Sequence, residues 1–371
     1  MAEELWKIAA QFAGGREIAT VRELGGGNVN DTFLVTCVDG APRRFVLQRI
    51  NTEVFRDVGA VIDNICLVTR HVGQRLATHR AAGDQMRWEV PELLASVDNS
   101  FLVRDRAGHP WRAMRYIEGA VPLERATTPA QARQAGKALG RLHALMGDLP
   151  LAGLRVTLPG FHQTPGYLRH YEQVLSSGCS HAPAELTYGK AFIEARRSFV
   201  PVLEQARERG ELVPRPIHGD PKLNNILVDV DNGGALGMVD LDTLQPGLLH
   251  YDLGDGLRSC CNPAGEETPD LGRVEFCMTR CEAFLASYCA EMAFCMAPAD
   301  YDYLYAATRL IALELGLRFF TDYLAGDVYF KTSRPGHNLH RALVQFRLVE
   351  CIEALEPEFR RLVAGLQAVQ P

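Results

Sequence analysis

The sequence predicts an α+β fold of two lobes: a β-rich N-terminal lobe with one main helix and a mostly helical C-terminal lobe. Three observations predict it. The 371-residue chain is long for one hydrophobic core, strand-like segments crowd into its first third, and helical periodicity dominates the rest. The predicted lobes are residues 1–117 and 118–371, joined at a hinge near residues 115–119 where the pattern changes.

The first lobe is predicted to hold several strands around one helix. Asp39-Gly40 is a typical two-residue hairpin turn. Residues 58–76 place apolar side chains at helical spacing, which predicts the helix. Segments rich in β-branched and aromatic residues predict strands at Ile18–Leu24, Thr32–Thr36, Arg44–Gln48, Ser100–Val103 and Trp111–Met114.

The second lobe is predicted to begin with a helix that Thr128 caps, that starts with Pro129 and that ends near Met146. The turn-forming residues 231–234 join two short predicted strands at 225–229 and 235–239. Further helices are expected over about 166–177, 187–208, 270–294, 300–324 and 339–368.

Composition argues against several classes of protein. The net charge of −6 leaves no basic footprint for nucleic acid. The N-terminus lacks the pattern of a signal peptide, and no apolar run approaches the length of a membrane span. We therefore expect a cytoplasmic protein with no membrane or nucleic-acid partner. We also expect a monomer, although composition does not bear on the oligomeric state. The ten cysteines contain no Cys-x-x-Cys pair, which favours buried thiols in a reducing compartment over a zinc or redox site.

The segment 218–240 carries the clearest chemistry. Asp220 follows His218-Gly219, Asn225 comes five residues later, and Asp240 lies fifteen residues beyond that. This set is typical of phosphoryl transfer, in which one carboxylate orients a substrate hydroxyl while an amide oxygen and a second carboxylate hold Mg²⁺ against ATP phosphates. The predicted hairpin would bring Asn225 and Asp240 to the same edge, where they could share the metal.

Three neighbours of this set need interpretation, and two of them, His218 and Asp252, have two interpretations each. His218 could be a general base, but we favour a bracing role because Asp220 is the better-placed proton acceptor. Asp242 would face the same side as Asp240 if the strand continued. Asp252 is interpreted as a helix N-cap or as a brace for the catalytic loop.

A glycine-rich segment precedes the second predicted strand. Gly25, Gly26, Gly27 and Asn28 could form a loop whose backbone N–H groups approach nucleotide phosphates closely. A plain hairpin turn is the alternative. The position of the segment, ahead of the 218–240 motif in a β-rich lobe, favours nucleotide binding.

A lysine that reaches the phosphates is expected on the strand after such a loop, and it is missing. The strand reads Phe45-Val46-Leu47-Gln48-Arg49. Gln48 could donate a hydrogen bond to phosphate without charge, whereas Arg49 would point to the opposite face. Because this lysine is missing, the alternative that the N-terminal lobe binds no ATP stays open.

Further motifs flank this core: Leu47–Asn51 with Phe55, Lys222–Leu227, Val239–Thr243 with Pro246-Gly247, Gly254-Asp255, Arg318-Phe319, Asp322–Leu324, Gly326-Asp327 and Tyr329-Phe330. Together with His218-Gly219-Asp220 they resemble the aminoglycoside phosphotransferase/choline kinase family, which has a protein-kinase-like fold. The similarity is greatest to the N-acetylhexosamine 1-kinases of that family. The resemblance spans about residues 5–365.

The resemblance implies roles for several residues. It implies that Asp220 orients or deprotonates the acceptor hydroxyl, and that Asn225 and Asp240 hold magnesium. It also implies that Gln48 belongs to the pattern of the subgroup. Backbone contacts to adenine are implied for Arg115, Tyr116 and Ile117.

The expected activity is an ATP-dependent transfer of phosphate to the anomeric hydroxyl of an N-acetylhexosamine. A neutral sugar needs a few fixed hydrogen bonds between apolar walls. Arg318 and Asp322, four residues apart on a predicted helix, could provide such hydrogen bonds, or they could form a surface ion pair. Two alternatives remain: a kinase of an aminoglycoside, choline or another sugar, and a nucleotide-binding protein without turnover. The residues expected to contact the sugar are Asn30, Asp31, Asp220, Arg318, Asp322 and Tyr323.

Overall fold

The computed structural model describes residues 2–25, 29–84, 86–177 and 184–369. It confirms the predicted fold class, with a β-sheet lobe followed by a helical lobe. The predicted roles of Gly26, Gly27 and Asn28 fall outside the described residues. Residue 117, the predicted end of the first lobe, lies between the sixth and seventh strands.

The N-terminal lobe is built on an antiparallel sheet in which the strands lie in the order β1-β2-β3-β6-β4, and β5 also pairs with β6. The four longest strands confirm the prediction, β5 begins later than predicted, and β4 was not predicted. The strands are β1 (Ile18–Glu23), β2 (Asp31–Cys37), β3 (Arg44–Arg49), β4 (Leu93–Leu94), β5 (Val103–Arg104) and β6 (Pro110–Arg115).

An unpredicted helix, α1 (Ala2–Phe12), covers one face of this sheet. Its Ile8 and Phe12 are buried against Phe45, Leu47 and other apolar residues of the sheet. Side chains alternate along a strand, so the residues that adjoin Phe45 and Leu47 in β3 point to the opposite face of the sheet, toward the second lobe. Burial of one face of the sheet therefore decides which side chains reach the cleft.

Helix α2 (Val58–Ala81) confirms the predicted helix of the first lobe and joins the two lobes. Its N-cap is Asp57, whose side chain accepts a hydrogen bond from the N–H of Ala60 at 2.9 Å. Val61, Ile65 and other apolar residues of α2 are fully buried in the main core, which is shared with the second lobe. The helix thus links the sheet to the helical lobe through apolar packing.

Helices make up most of the C-terminal lobe. The predicted Thr128 cap is present and forms a capping box with Gln131. The predicted segment 339–368 is two helices, because Pro357 starts a new one, and the helix predicted from 270 begins only at Met278. The helices are α3 (Pro129–Met146), α4 (Thr164–Ser176), α5 (Ala184–Glu194), α6 (Val202–Glu208), α7 (Leu249–Cys261), α8 (Met278–Glu291), α9 (Pro298–Asp302), α10 (Leu304–Leu324), α11 (His337–Ala354) and α12 (Glu356–Ala368).

Close helix packing forms the centre of this lobe. Helix α3 lies so near α8 that a Cβ atom at Gly136 would stand 2.0 Å from the carbonyl oxygen of Phe284. Glycine is therefore required at this crossing. The segment predicted as one helix over 187–208 is divided by a 3₁₀ turn at Arg197–Phe199. Helix α7 was anticipated only as the helix that Asp252 could cap, and it begins earlier, at Leu249.

Short strands hold the loops of the cleft between the lobes. The predicted hairpin is confirmed as β9 and β10, which pair antiparallel, and β7 adds to β9. None of the described helices is long and apolar enough to span a membrane. The short strands are β7 (Ala120–Pro122), β8 (Arg215–Ile217), β9 (Ile226–Asp229), β10 (Ala235–Met238) and β11 (Gln245–Gly247).

Candidate active site

Asp220 lies in the loop between β8 and a 3₁₀ turn at Leu223–Asn225. The side-chain amide of Asn225 donates hydrogen bonds to the backbone oxygen of Asp220 at 2.7 Å and to its Oδ2 at 3.1 Å. Lys222 Nζ donates to the same Oδ2 at 2.6 Å. The structure thus brings Asp220 and Asn225 together. It also adds Lys222, a residue of the Lys222–Leu227 motif for which no role was predicted.

Asp252 braces this catalytic loop from below. The fully buried carboxylate accepts hydrogen bonds from the backbone N–H groups of His218 at 2.7 Å and Gly219 at 2.8 Å. A third bond joins it to His143 Nε2 at 2.8 Å. Burial alone would raise the pKa of Asp252, but the hydrogen bonds from His143 and the Gly219 N–H and the charges of His143 and His218 together outweigh burial, and the pKa is lowered. Of the two interpretations, the brace is correct, because the N-cap of α7 is Leu248.

His218 also braces the loop. Its Nε2 bonds to the backbone oxygen of Val239 at 3.0 Å, and its Nδ1 accepts the N–H of Asp220 at 3.2 Å. Burial lowers the pKa of His218, which favours the neutral ring. Gly219 has a φ of 87°, and a Cβ atom there would lie 2.7 Å from the backbone oxygen of Thr243. The loop therefore needs glycine between His218 and Asp220.

Asp240 occupies a left-handed backbone conformation, with φ of 64° and ψ of 57°, just after β10. The strand ends at Met238, so Asp242 lies in a 3₁₀ turn and not on a continued strand. The N–H of Val239 donates to the backbone oxygen of Asn225 at 2.9 Å, which places Asn225 beside this turn. Burial, and next the charge of Asp242, raise the pKa of Asp240 to about 6.

The side-chain oxygen atoms at this turn are suitable ligands for a hard divalent cation. Asn225 uses its side-chain nitrogen to bond Asp220, and its Oδ1 accepts no hydrogen bond from the described residues. The Asp240 carboxylate likewise has no hydrogen-bond donor within the described part of the chain, and burial and the charge of Asp242 raise its pKa despite the nearby cations Lys222 and Arg112. Mg²⁺ typically takes one or two carboxylates plus phosphate and water oxygens.

The described residues form no other protein cage for a metal. The described ranges hold no group of three or more His, Cys, Asp or Glu side chains placed to bind a metal ion. A site of one carboxylate and one amide leaves most coordination positions to phosphate and water. Asn225 and Asp240 offer oxygen atoms that fit such a site, and their role as Mg²⁺ ligands stays a prediction.

A row of polar side chains crosses the cleft-facing side of the N-terminal sheet. Thr32, Gln48 and Arg112 are cross-strand neighbours on β2, β3 and β6. Gln48 Nε2 donates to Thr32 Oγ1 at 3.0 Å. Arg112 donates to Gln48 Oε1 from Nε at 3.1 Å and from Nη2 at 2.7 Å. The row ends in an ion pair between Arg112 and Asp242.

Asn30 and Asp31, both predicted sugar contacts, are held within the protein. Asn30 Nδ2 donates to Asp242 Oδ2 at 2.7 Å, and its Oδ1 accepts the N–H of Asn51 at 3.0 Å. Asp31 accepts a hydrogen bond from Arg49 Nε at 2.7 Å. Both oxygens of Asp242 are thus occupied by side chains of the first lobe, while Arg49 reaches Asp31 instead of the row at Gln48.

The hinge residues lie beside the hairpin of β9 and β10, which we call the catalytic hairpin because it joins Asn225 to Asp240. Ile117 is buried in an apolar cluster with Leu227 of β9 and Leu236 of β10. The guanidinium of Arg44 lies 4.5 Å from the ring centre of Tyr116. Arg115 ends β6 with its N–H bonded to the backbone oxygen of Glu92 at 2.8 Å. The cluster gives the hinge an apolar floor next to Asn225 and Asp240.

A cavity of about 760 Å³ opens between the two lobes. Its walls come from the loop after β3, the segment that leads into α4, the end of α10 and the loop that follows α10. It is lined by Glu53, Val54, Arg56, Asp57, Val156, Thr157, Leu158, Pro159, Phe161, Tyr167, His170, Arg318, Thr321, Asp322, Ala325, Val328, Tyr329 and Phe330.

Arg318 stands among three aromatic rings of this cavity. Its Cζ lies 5.3, 4.9 and 5.4 Å from the ring centres of Phe161, Tyr167 and Phe330. The nearest carboxylate oxygen, on Glu314, is 4.0 Å from Nη1, beyond hydrogen-bond distance. The surface ion pair with Asp322 is absent among the described contacts. The guanidinium is thus caged by rings and keeps donors for a ligand.

A buried polar network joins the cavity to the catalytic loop. His162 bonds through Nε2 to the backbone oxygen of Gly219 at 2.8 Å and through Nδ1 to Glu314 Oε1 at 2.9 Å. Burial would lower the pKa of His162, but Glu314 outweighs burial and the pKa is raised. Because Phe161 lines the cavity next to His162, cavity wall and Asp220 loop are positioned together. Sequence reasoning missed this network, since no motif marks it.

Asp322 and Tyr323 differ in their surroundings. Asp322 accepts hydrogen bonds from the N–H groups of Val328 at 3.0 Å, Tyr329 at 2.8 Å and Phe330 at 2.9 Å. The carboxylate thus fixes the cavity loop. Tyr323 packs against the main core and does not line the cavity. The sugar-binding role of both residues stays a prediction.

The two lobes, the catalytic loop and the adjoining turn define a phosphotransferase architecture. Residues 20–290 match the phosphotransferase enzyme family, APH, and the chain belongs to this family.

Solved structures share the fold at low sequence identity. A microcompartment-associated aminopropanol kinase has 18% identity and a TM-score of 0.62, with 96% of this chain and 98% of that chain covered. An aminoglycoside phosphotransferase from Alicyclobacillus acidocaldarius has 14% identity and a TM-score of 0.63, with 96% and 95% covered. A choline kinase from Cryptosporidium parvum has 15% identity and a TM-score of 0.61, with 99% of each chain covered.

Proposed function

We propose that this protein is an ATP-dependent kinase that phosphorylates the anomeric 1-hydroxyl of an N-acetylhexosamine, giving the sugar 1-phosphate and ADP. Membership of the phosphotransferase enzyme family supports phosphoryl transfer to a small molecule. The choice of an N-acetylhexosamine rests on the sequence motifs that resemble kinases of that sugar. The cavity, whose wall residue Phe161 precedes the His162 that bonds the catalytic loop, supplies independent support for a neutral acceptor.

The observation that carries the proposal is the position of Arg318. Aromatic cages of this kind recognise quaternary ammonium groups when they are vacant. Here the rings of Phe161, Tyr167 and Phe330 already surround the guanidinium of the protein. A choline-like or polycationic acceptor would meet a positive charge where it needs rings or carboxylates. A neutral sugar could accept hydrogen bonds from the same guanidinium.

Asp220 is suited to receive the proton of the acceptor hydroxyl. Burial would raise the pKa of Asp220, but the charge of Lys222 and its hydrogen bond outweigh burial and lower the pKa. The carboxylate is therefore ionised at neutral pH, as a proton acceptor must be. Asn225, which bonds both the backbone and the side chain of Asp220, holds it in one orientation. Positioning of this kind supplies much of the catalysis in phosphoryl transfer.

The nucleotide would lie between the sheet and the catalytic hairpin. Adenine would meet the apolar floor made by Ile117, Leu227 and Leu236, next to the hinge. Asn225 and Asp240 would hold Mg²⁺, which when bound offsets the negative charge of the phosphates. Gln48 lies on the strand from which a lysine would reach the phosphates.

A coupled assay of ADP release with a panel of acceptors tests this function. The panel contains N-acetylglucosamine, N-acetylgalactosamine, their unacetylated forms, choline, ethanolamine and an aminoglycoside. We expect turnover with the N-acetylated sugars, and phosphorus NMR of the product should show the phosphate on carbon 1. The matched control is Asp220→Asn, which keeps the shape of the side chain and should lower kcat at least about a hundredfold.

Other results would redirect the proposal. Turnover with cationic acceptors alone would make the protein a kinase of another small molecule. ATP binding without turnover on any acceptor would support a nucleotide-binding protein without activity.

A further inference from the structure

The cleft-facing side of the N-terminal sheet contains a buried cation on a strand where none was expected. Arg112 of β6 is fully buried, and its guanidinium lies between Gln48 of the nucleotide strand and Asp242 of the turn that follows Asp240. Its Nη1 is buried without a hydrogen-bond partner among the described residues. Gln48 is only partly buried, so it lies between the cation and the cleft.

The hydrogen bonds decide which end of the Gln48 amide faces outward. Two N–H groups of Arg112 point at Gln48 Oε1, at 3.1 and 2.7 Å, so the oxygen is turned toward the cation. The Nε2 group then faces the other way and uses one hydrogen on Thr32 Oγ1 at 3.0 Å. An amide nitrogen has two hydrogens, so one donor is left over. A charged donor behind the oxygen also polarises the amide.

We propose that Arg112 is the positioning residue of the nucleotide site. It fixes and polarises Gln48 so that the Nε2 group of that residue donates to a nucleotide phosphate. The inference rests on the proposed function and goes beyond it by naming the device that replaces a strand lysine. Arg112 acts through Gln48 and not as a free charge, because Asp242 neutralises its guanidinium.

The test compares ADP with adenosine, because only ADP carries phosphates. Affinities are measured by calorimetry in the presence of EDTA, so that divalent cations do not contribute. Gln48→Glu keeps an acceptor for Arg112 but removes the outward donor and adds a negative charge. We expect its ADP affinity to fall at least about tenfold, the size of one hydrogen bond to a charged group. Adenosine affinity and Tm should stay near those of the unaltered protein.

Arg112→Lys tests the positioning step. Lysine keeps the charge beside Asp242 but loses the planar fork that holds Gln48 Oε1. We expect the ADP-to-adenosine affinity ratio to fall about fivefold. In a Gln48→Ala background the same change should alter the ratio less than about twofold, since a residue that acts through Gln48 has nothing left to position.

The outcomes separate the two proposals. Equal effects of Arg112→Lys with and without Gln48 would overturn the positioning role, and so would a Gln48→Glu variant that binds ADP normally. If Arg112→Lys does not fold, the ADP-to-adenosine affinity ratio of Gln48→Ala, which removes the donor and adds no charge, decides whether the outward amide contacts phosphate. Failure of the unaltered protein to prefer ADP over adenosine would contradict the proposed kinase function itself.

Discussion

The ammonium nitrogen of Lys222 lies 2.6 Å from Oδ2 of Asp220, so the proposed proton acceptor is held by a cation two residues away. Both side chains are about a quarter exposed, at 28%, and so face the cleft. Burial would lower the pKa of Lys222, but the charges of Asp220 and Asp240 outweigh burial and raise it. The lysine therefore stays charged at every pH at which the enzyme could be assayed.

Lys222→Met should lower kcat about a hundredfold, because it removes a fixed positive charge from the place where the negatively charged phosphoryl group would be transferred. It should also raise the pKa of Asp220, which Lys222 holds down. The acid limb of the kcat profile should then move to higher pH. Lys222→Arg keeps the charge and is the control. A kcat within threefold of normal for Lys222→Met would rule out this role.

Replacing Asp252 should unfold the catalytic loop first. Asp252→Ala leaves two buried backbone N–H groups and His143 without their acceptor, which should lower the free energy of unfolding by about 3–5 kcal/mol. The pKa of Asp252 is lowered in the folded state, so its contribution is present above its usual 3.8 and is lost as pH falls below that value.

Urea unfolding between pH 3 and pH 7 measures this contribution. The unaltered protein should lose stability steeply at the acid end, and Asp252→Asn should lose less of it there. Parallel curves for the two proteins would show that Asp252 does not carry the acid sensitivity.

The sequence predicted the fold class and the catalytic hairpin because both depend on local patterns. Strand composition, the Thr128 cap and the order of Asp220, Asn225 and Asp240 are local features. Asp242 shows where such reasoning ends. A regular strand would have turned it toward Asp240, but the left-handed conformation of Asp240 ends the strand and directs Asp242 to Arg112.

Long-range partners were also beyond reach of the sequence. Arg112 and Asp242 lie 130 positions apart, and His162 and Glu314 lie 152 apart. No spacing rule links such pairs, since only the packing of the two lobes and of α10 brings them together. Asn30 was predicted as a sugar contact, and that role stays a prediction. Its hydrogen bonds to Asp242 and to the N–H of Asn51 could not have been read from the sequence.

Magnesium should stabilise the protein in a pH-dependent manner. The pKa of Asp240 is raised to about 6 in the folded protein, so without metal its ionisation lowers stability as pH rises from about 4 to 6. At the proposed site Mg²⁺ would bind the ionised carboxylate, and a proton would compete with it below pH 6. The rise in Tm on adding Mg²⁺ should therefore be small at pH 5 and larger at pH 7.5.

Thermal unfolding with and without Mg²⁺ checks this at both pH values. Asp240→Asn should abolish the metal effect and its pH dependence. Asp231→Asn, which removes a charge from the exposed hairpin turn, is the matched control and should keep both. A metal effect that persists in Asp240→Asn would place the cation elsewhere.

A substitution at Asp322 should weaken binding of the sugar substrate and leave binding of the nucleotide unchanged. Asp322→Asn replaces one acceptor oxygen with a donor beside the three N–H groups of residues 328–330, so the cavity loop should loosen. We expect the KM for the sugar to rise about tenfold while the KM for ATP stays unchanged. Asp327→Asn removes a charge from the same loop and keeps these bonds, so it should behave normally. Equal changes in both KM values would show a general loss of structure.

Arg318 should determine whether the cavity binds a neutral sugar or a cationic molecule. Arg318→Ala removes the guanidinium from between Phe161, Tyr167 and Phe330, which lie within 5.4 Å of it. The variant should lose at least about tenfold in kcat/KM for an N-acetylhexosamine, because the sugar loses a charged hydrogen-bond donor. The vacated rings should now bind a quaternary ammonium ion, so choline should inhibit the variant and not the unaltered enzyme. Arg318→Lys keeps a cation in the cage and should not gain this inhibition. Choline inhibition of the unaltered enzyme would mean that the cage is open to cations, and the argument for a neutral acceptor would fail.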